Sequence, residues 1–289
     1  MNPIFHQRSY KFRDGIELEL GQRTLIMGIL NATPDSFSDG GRYNEAEAAA
    51  ARAEQMASEG ADIIDIGGES TRPGHDPISA EEELARILPV IRAVKARVRL
   101  PISVDTYKAE TARQALEAGA HIVNDVWGFK RDPKMARVAA EFDCPVILTH
   151  NRDNRDYRDF MADALNDLRE SVRIARNGGV AEENIWLDPG MGFAKDHEEN
   201  LEMMGRLEEV VALGYPVLLA ASRKRFIQRA LGVTAGEAAE GTGATTALGI
   251  AQGCQMVRVH DVLLSKRVAL MADAVLYRNR AGRAAEANG

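Results

Sequence analysis

Apolar residues along this chain come in short runs that end on polar or charged side chains, and the first run sets the pattern. Leu25, Ile26, Met27, Gly28, Ile29 and Leu30 stop at Asn31, and the chain empties into Ala-Thr-Pro-Asp-Ser-Phe-Ser-Asp-Gly-Gly. A run this short, closed by Pro34 and a glycine pair, predicts a strand covered on both faces, as a parallel sheet requires. The following loop carries side-chain oxygens at Asn31, Thr33, Asp35, Ser36, Ser38 and Asp39, and it holds a bulky Phe37 where an idle surface turn rarely has one. Taken alone it reads equally well as a turn made of ordinary turn residues. What favours the functional reading is that the arrangement recurs.

Residues 5–20 alternate around Asp14-Gly15, with Tyr10, Phe12, Ile16, Leu18 and Leu20 as apolar members, and predict a hairpin ahead of the main fold. After the Asn31 loop, Glu45–Ser58 has alanines at helical spacing, Gly60 stops it, and Ile63–Ile66 runs into a second polar loop from Gly67 to Gly74. Ser79 and Glu82 form a capping-box pattern for a helix whose Leu84, Ile87, Leu88, Ile91 and Val94 share a face, followed by Pro-Ile-Ser-Val-Asp-Thr. Helices over Ala109–Ala118, Pro133–Phe142, Tyr157–Arg176, Leu201–Leu213 and Thr245–Gln252 each precede an apolar run, and a closing helix extends to about Tyr277. Eight apolar runs separated by about one helix each predict an α/β fold, a (β/α)8 TIM barrel with an N-terminal β-hairpin. No Gly-x-Gly-x-x-Gly follows the first run, so a dinucleotide fold loses its main support. Nothing linker-like divides the chain, so 1–289 is expected to be one domain, with 1–22 as the hairpin extension and 281–289 as a frayed tail.

The charge balance narrows the partners. A net charge of −7, with Lys and Arg scattered among carboxylates, argues against a nucleic-acid surface, so an anionic ligand has to be held locally. Cys144 and Cys254 each precede an apolar run and are expected to be buried small hydrophobes rather than a disulfide or metal pair. There is no signal-peptide pattern and no apolar run of membrane-spanning length, so a cytoplasmic protein without membrane contact is expected.

In a barrel the C-terminal strand ends converge on one mouth, so the polar terminators form a single set. They are Asn31, Glu69 with Thr71 and Arg72, Asp105, Asn124 with Asp125, His150, Asp188, Ser222 with Lys224, and Arg258 with His260 and Asp261. Asp105, Asn124 and Asp188 end three different apolar runs; each alone could cap the next helix, but a partly desolvated trio needs donors. A flat heterocycle with an amino-pyrimidinone edge has paired N–H donors that suit it. Lys224 can enter the mouth as a cation, and Arg258 and His260 share one side of their strand. With Asn31 and Arg72 they would make a positive corner for a phosphate or pyrophosphate, although His260 by itself reads as a satisfied core histidine.

The stretches Asn31–Gly41, Asp65–Gly74, Ile102–Thr106, Asn124-Asp125, Asp188–Phe193, Ser222-Arg-Lys224 and Arg258–Asp261 closely resemble the motifs of dihydropteroate synthases, in that family's order and over nearly the whole chain. The resemblance implies condensation of a pterin methyl diphosphate with p-aminobenzoate, releasing pyrophosphate. It implies that Asp105, Asn124, Asp188 and Lys224 hold the pterin, and that Asn31, Arg72, Arg258 and His260 hold the diphosphate, with Asn31 on Mg²⁺. Phe37, Thr71, Arg72, Pro73, Phe193 and Ser222 would surround p-aminobenzoate, and Asp35, Asp105 and Lys224 would be the catalytic groups. A homodimer through outer helices and sensitivity to sulfonamides are implied in the same way. The sequence departs from the family pattern at Ala194 and Ala220, where Gly is usual, and at Thr149, where Met is frequent. The competing readings are a pterin-binding paralogue, either a methyltetrahydrofolate methyltransferase domain or a non-catalytic binder, and a Schiff-base aldolase using Lys224, against which Arg223 and Arg225 flank the lysine.

Overall fold

The computed structural model describes residues 5–32, 41–69 and 76–277, without side chains for 41–43. Strands β1 (Arg8–Lys11) and β2 (Glu17–Leu20) pair antiparallel with Tyr10 opposite Leu18, which is the expected hairpin. Eight parallel strands follow: β3 (Leu25–Asn31), β4 (Ile63–Gly67), β5 (Ile102–Asp105), β6 (Ile122–Asp125), β7 (Val146–Thr149), β8 (Ile185–Asp188), β9 (Leu218–Leu219) and β10 (Met256–Val259). They neighbour one another in chain order, β10 returns to β3, and a parallel bridge between Leu187 and Val217 brings the β9 segment to β8. The result is the expected barrel.

Among the described residues ten α-helices cover its outside: α1 (Gly41–Glu59), α2 (Ala80–Arg97), α3 (Ala109–Ala118), α4 (Met135–Phe142), α5 (Phe160–Asn177), α6 (His197–Gly205), α7 (Leu207–Val211), α8 (Arg225–Leu231), α9 (Ala239–Ala251) and α10 (Val262–Leu276). Several differ from the pattern-based boundaries. The stretch expected as one helix over Leu201–Leu213 is two, because Arg206 leaves helical geometry at φ −129°, and α6 starts earlier on a capping box built by Asp196 and Glu199. At Ser79 only half of the predicted box exists: its side chain accepts from the Glu82 N–H, but the Glu82 carboxylate pairs with Arg86 instead of reaching back. α5 is capped by Asp159, and Tyr157 instead donates its hydroxyl to the Ala194 carbonyl at 2.7 Å. Cys144 and Cys254 are buried and unpaired, and burial pushes both thiols well above the usual range. The expected tail 281–289 lies outside the described residues.

Strand side chains alternate between two environments. Ile26, Ile64, Val104, Val123, Leu148, Leu187 and Val257 face outward into the packing with the helices. Their inward neighbours Leu25, Met27, Ile63, Ile122, Ile147, Trp186, Leu218 and Met256 form a separate apolar layer inside the barrel, together with Tyr10, Leu18 and Leu20 of the hairpin. The hairpin therefore plugs the lower end. Trp186 Nε1 donates to the Tyr10 hydroxyl at 2.8 Å, the Tyr10 hydroxyl donates to the Glu183 carbonyl at 2.7 Å, and the two rings meet edge to face at 5.5 Å.

Candidate active site

Two residues above that apolar layer on the same inward faces stand Asp65, Asn124, Asp188 and Arg258, and on β5 Asp105 stands two residues above the inward Ser103. The register sets Asp65 beside Ser103 and Asp105 beside Asn124, so the charged groups form a ring across neighbouring strands. Arg258 Nε donates to Asp65 Oδ2 at 2.6 Å and its Nη2 to Asp105 Oδ2 at 2.7 Å, while Asn124 Nδ2 reaches Asp65 Oδ2 at 3.4 Å. Asp65 has no exposed surface, and its Oδ1, like the hydroxyl of Ser103 beside it, meets no donor or acceptor among the described residues. Asp188 Oδ1 accepts the Gly190 N–H at 2.7 Å.

Burial makes these groups reluctant to carry charge. It pushes the Asp105 carboxyl up to about 7, with the Arg258 guanidinium opposing, and it raises Asp188 against the Gly190 N–H. Lys224 is lowered to about 8 by burial, with Asp188 opposing. Its ammonium stands 4.1 Å from the centre of the Phe193 ring, a cation–π contact. Three inward carboxylates thus share two cations, which leaves acceptor capacity for N–H donors of a guest.

The strand-end set divides by parity. Asp125 points the other way from Asn124, accepts the N–H groups of Trp127 at 2.7 Å and Phe129 at 3.0 Å, and so fills the turn-capping role weighed for such carboxylates. Asp261 caps α10 through the Leu264 N–H. Glu69 is held by the Tyr107 hydroxyl at 2.8 Å and by Lys108. His150 faces outward, to Asp167 and Lys195. The anticipated positive corner is arranged differently: Arg258 is turned to Asp65 and Asp105, whereas His260 Nδ1 lies 3.0 Å from the Ser222 hydroxyl. Ser222 and His260 are therefore brought together, although the resemblance assigns them to different ligands. Asn31 ends β3 beside Gly67 and is exposed. Asp35, Phe37, Thr71, Arg72 and Pro73 lie outside the described residues.

Two departures from the family pattern have structural readings. Ala194 sits at φ +45°, in the left-handed region that favours Gly. Ala220 is buried on the inward row above Leu218. The strand-end set from the sequence does not include Asp65, whose inward parity with Ile63 follows from the period of two along β4.

No group of three or more His, Cys, Asp or Glu able to hold a metal occurs among the described residues. A cation that keeps most of its ligands as water and substrate phosphate needs only one protein oxygen, and the exposed Asn31 carboxamide suits that demand.

A barrel whose mouth offers inward carboxylates, an amide and two cations is built to hold a polar heterocycle, and the comparisons agree. Residues 27–260 match the model of the pterin binding enzyme family. The dihydropteroate synthase of Bacillus subtilis strain 168 is 57% identical over 259 residues, covering 90% of this chain and 91% of that one. Among solved structures, dihydropteroate synthase from Clostridium difficile in the presence of pteroic acid superposes with a TM-score of 0.87 at 49% identity, covering 89% of this chain and 98% of that chain. The Xanthomonas albilineans enzyme with 4-aminobenzoic acid gives 0.86 at 40%, covering 91% and 96%. The chain belongs to the dihydropteroate synthase family of pterin-binding enzymes.

Proposed function

We propose that this chain condenses 6-hydroxymethyl-7,8-dihydropterin diphosphate with p-aminobenzoate to give 7,8-dihydropteroate and pyrophosphate. The observation that carries the reading is the grouping of Asp105, Asn124 and Asp188 at the mouth, next to Lys224 and Phe193. The carboxylates and the amide take the N–H and carbonyl edge of the pterin. Lys224 lies close enough to share charge with Asp188. Asn31, Arg72 and His260 take the diphosphate together with Arg258, whose guanidinium also holds Asp65 and Asp105, and bound Mg²⁺ would supply further positive charge against the leaving group. The bond between the pterin methylene and the diphosphate oxygen breaks with its electron pair going to pyrophosphate. Asp35, or ring charge shared with Asp105, stabilises the positive charge left on the pterin methylene. The aniline nitrogen of p-aminobenzoate, held by Phe37, Thr71, Arg72, Pro73, Phe193 and Ser222, gives its lone pair to that carbon and then loses a proton. It is neutral at pH 7, so no strong general base is required.

The test is pyrophosphate release from the purified protein given the pterin diphosphate and Mg²⁺, with and without p-aminobenzoate, beside Asp35→Ala. Dihydropteroate formation that falls sharply in the variant supports the reading. Pterin binding without release would instead favour the non-catalytic paralogue. A sulfonamide should compete with p-aminobenzoate, and absence of any inhibition would contradict the assignment of that pocket.

The protein is further proposed to act as a cytoplasmic homodimer. No described helix is long and apolar enough to cross a membrane. Leu248 of α9 and Leu263, Leu270, Met271 and Val275 of α10 are exposed, with Met271 at 64%, and residues 263, 270 and 271 recur on one helical face. A second copy of this chain would cover them. Light scattering should give twice the chain mass for the native protein and a smaller mass for Met271→Asp; a native monomer would contradict the proposal.

A further inference from the structure

Outside the barrel wall, between the tops of β7 and β8 and the start of α6, a buried chain of ionisable groups takes no step in the proposed reaction. Lys195 is buried and His150 has no exposed surface. Lys195 Nζ lies 2.9 Å from the Gly190 carbonyl oxygen, 3.1 Å from that of Phe193 and 2.7 Å from His150 Nδ1. On the far side of the ring, His150 Nε2 is 3.1 Å from Asp167 Oδ2, and Asp167 also accepts from Arg152 Nε at 2.5 Å. These contacts fix the protons. The Asp167 carboxylate can only accept, so the imidazole hydrogen is on Nε2 and Nδ1 is bare. Lys195 then faces three acceptors, and only an ammonium has three hydrogens to give them. A neutral amine would turn its lone pair on one of the three.

The segment it holds has little regular structure of its own. Gly190, Gly192 and Ala194 all have left-handed φ, at +68°, +80° and +45°. A Cβ on Gly190 would collide with the His150 carbonyl oxygen, so the loop lies directly against the end of β7. Gly192 N–H donates to Asn200 Oδ1 at 2.6 Å and the Ala194 carbonyl accepts from Tyr157. Lys195 adds the two carbonyls on either side of the loop's tip, and Phe193 projects from that tip toward Lys224.

We propose that Lys195, as an ammonium ion, is a positioning residue for the p-aminobenzoate side of the site: it ties the Gly190 and Phe193 carbonyls to the His150–Asp167 anchor and thereby sets the Phe193 ring. This rests on the reading that p-aminobenzoate binds beside Phe193. The charge state is sensitive to pH in the neutral range. Burial lowers Lys195 to about 7, Asp188, Glu199 and Asp167 oppose that shift, and Lys224 adds to it. His150 is itself lowered to about 3, first by burial and then by Lys195, with Asp167 opposing and Lys130 adding, so it stays neutral throughout. As pH rises past 7 the ammonium loses its proton, one acceptor loses its donor, and p-aminobenzoate binding weakens while turnover at saturation persists.

The experiment is the p-aminobenzoate KM and the kcat from pH 6 to 8.5 for the native protein, Lys195→Gln and Asp167→Asn, with calorimetric binding of 6-hydroxymethylpterin as the check on folding. The native KM should rise about tenfold across that range, and Lys195→Gln should be high at every pH, with kcat within about threefold of native. Asp167→Asn removes a negative charge that favours the ammonium, so the midpoint of its KM profile should move to lower pH. Should Lys195→Gln fail to bind pterin, the Asp167→Asn midpoint still decides. A native-like KM profile in Lys195→Gln, a loss in kcat rather than KM, or an unmoved midpoint in Asp167→Asn overturns the proposal. If the native protein makes no dihydropteroate, the functional reading fails; calorimetric binding of p-aminobenzoate with 6-hydroxymethylpterin present then tests the positioning role by the same pH shifts.

Discussion

The lower and upper halves of the barrel interior are built by the same strands, two residues apart, and they are chemically opposite. Below, Ile63, Ile122, Trp186 and Met256 close against the hairpin; above, Asp65, Asn124, Asp188 and Arg258 stand on the same faces. The lower layer gains free energy by leaving water. The upper layer loses it, because burial penalises each charge and raises Asp105 and Asp188 from their ordinary values. One half holds the fold together; the other, on the proposed function, is retained for what it binds.

Substitutions two residues apart on β8 should separate these roles most sharply. Asp188→Asn removes a carboxylate proposed to hold the pterin, so dihydropteroate formation should fall about 10³-fold or more. Its thermal midpoint at pH 8 should not fall. A carboxyl with a raised pKa stabilises the folded state at low pH and loses that contribution as pH rises through the folded value, so ionising it in the folded protein is a cost that Asn lacks. Trp186→Ala should do the reverse: a loss of about 3–5 kcal/mol in urea unfolding, with turnover per folded molecule largely kept. If both substitutions cost stability equally, the division is wrong.

A smaller effect should appear in pH dependence. On the proposed function, pterin binding needs the Asp105 carboxylate, held up to about 7 by burial against Arg258, and the Lys224 ammonium, lowered to about 8 by burial against Asp188. Affinity for 6-hydroxymethylpterin should therefore climb up to about tenfold per pH unit below 7 and decline above 8. Asp105→Asn should flatten the acid limb; an unchanged limb would assign the titration elsewhere. Smallest is Tyr10→Phe, which leaves the edge-to-face ring pair but removes the partner of Trp186 Nε1, for about 1–2 kcal/mol of stability and no change in turnover.

Much of this division is legible in the sequence, because a period of two is visible without a structure. Ile122-Val-Asn124 and Trp186-Leu-Asp188 each put an apolar and a polar residue on one face, and the eight runs gave the right barrel. The same period separates His150 and Asp125 from the site, since both stand on outward positions; collecting every polar strand end as one set obscured that. Helix boundaries were harder to read. α9 begins at Ala239 rather than Thr245, because Gly241 and Gly243 resemble a loop, whereas Gly241 is there to let the helix approach Ile227 of α8. Lys195 carried no local signal, since its three partners converge from Gly190, Phe193 and the end of β7.

The most direct test of the account is the rate of dihydropteroate formation from the pterin diphosphate and p-aminobenzoate, measured on native protein, Asp188→Asn and Trp186→Ala at equal folded concentration. The account predicts product from the native protein and from Trp186→Ala, and almost none from Asp188→Asn. Product from Asp188→Asn at the native rate, or none from the native protein, would contradict it.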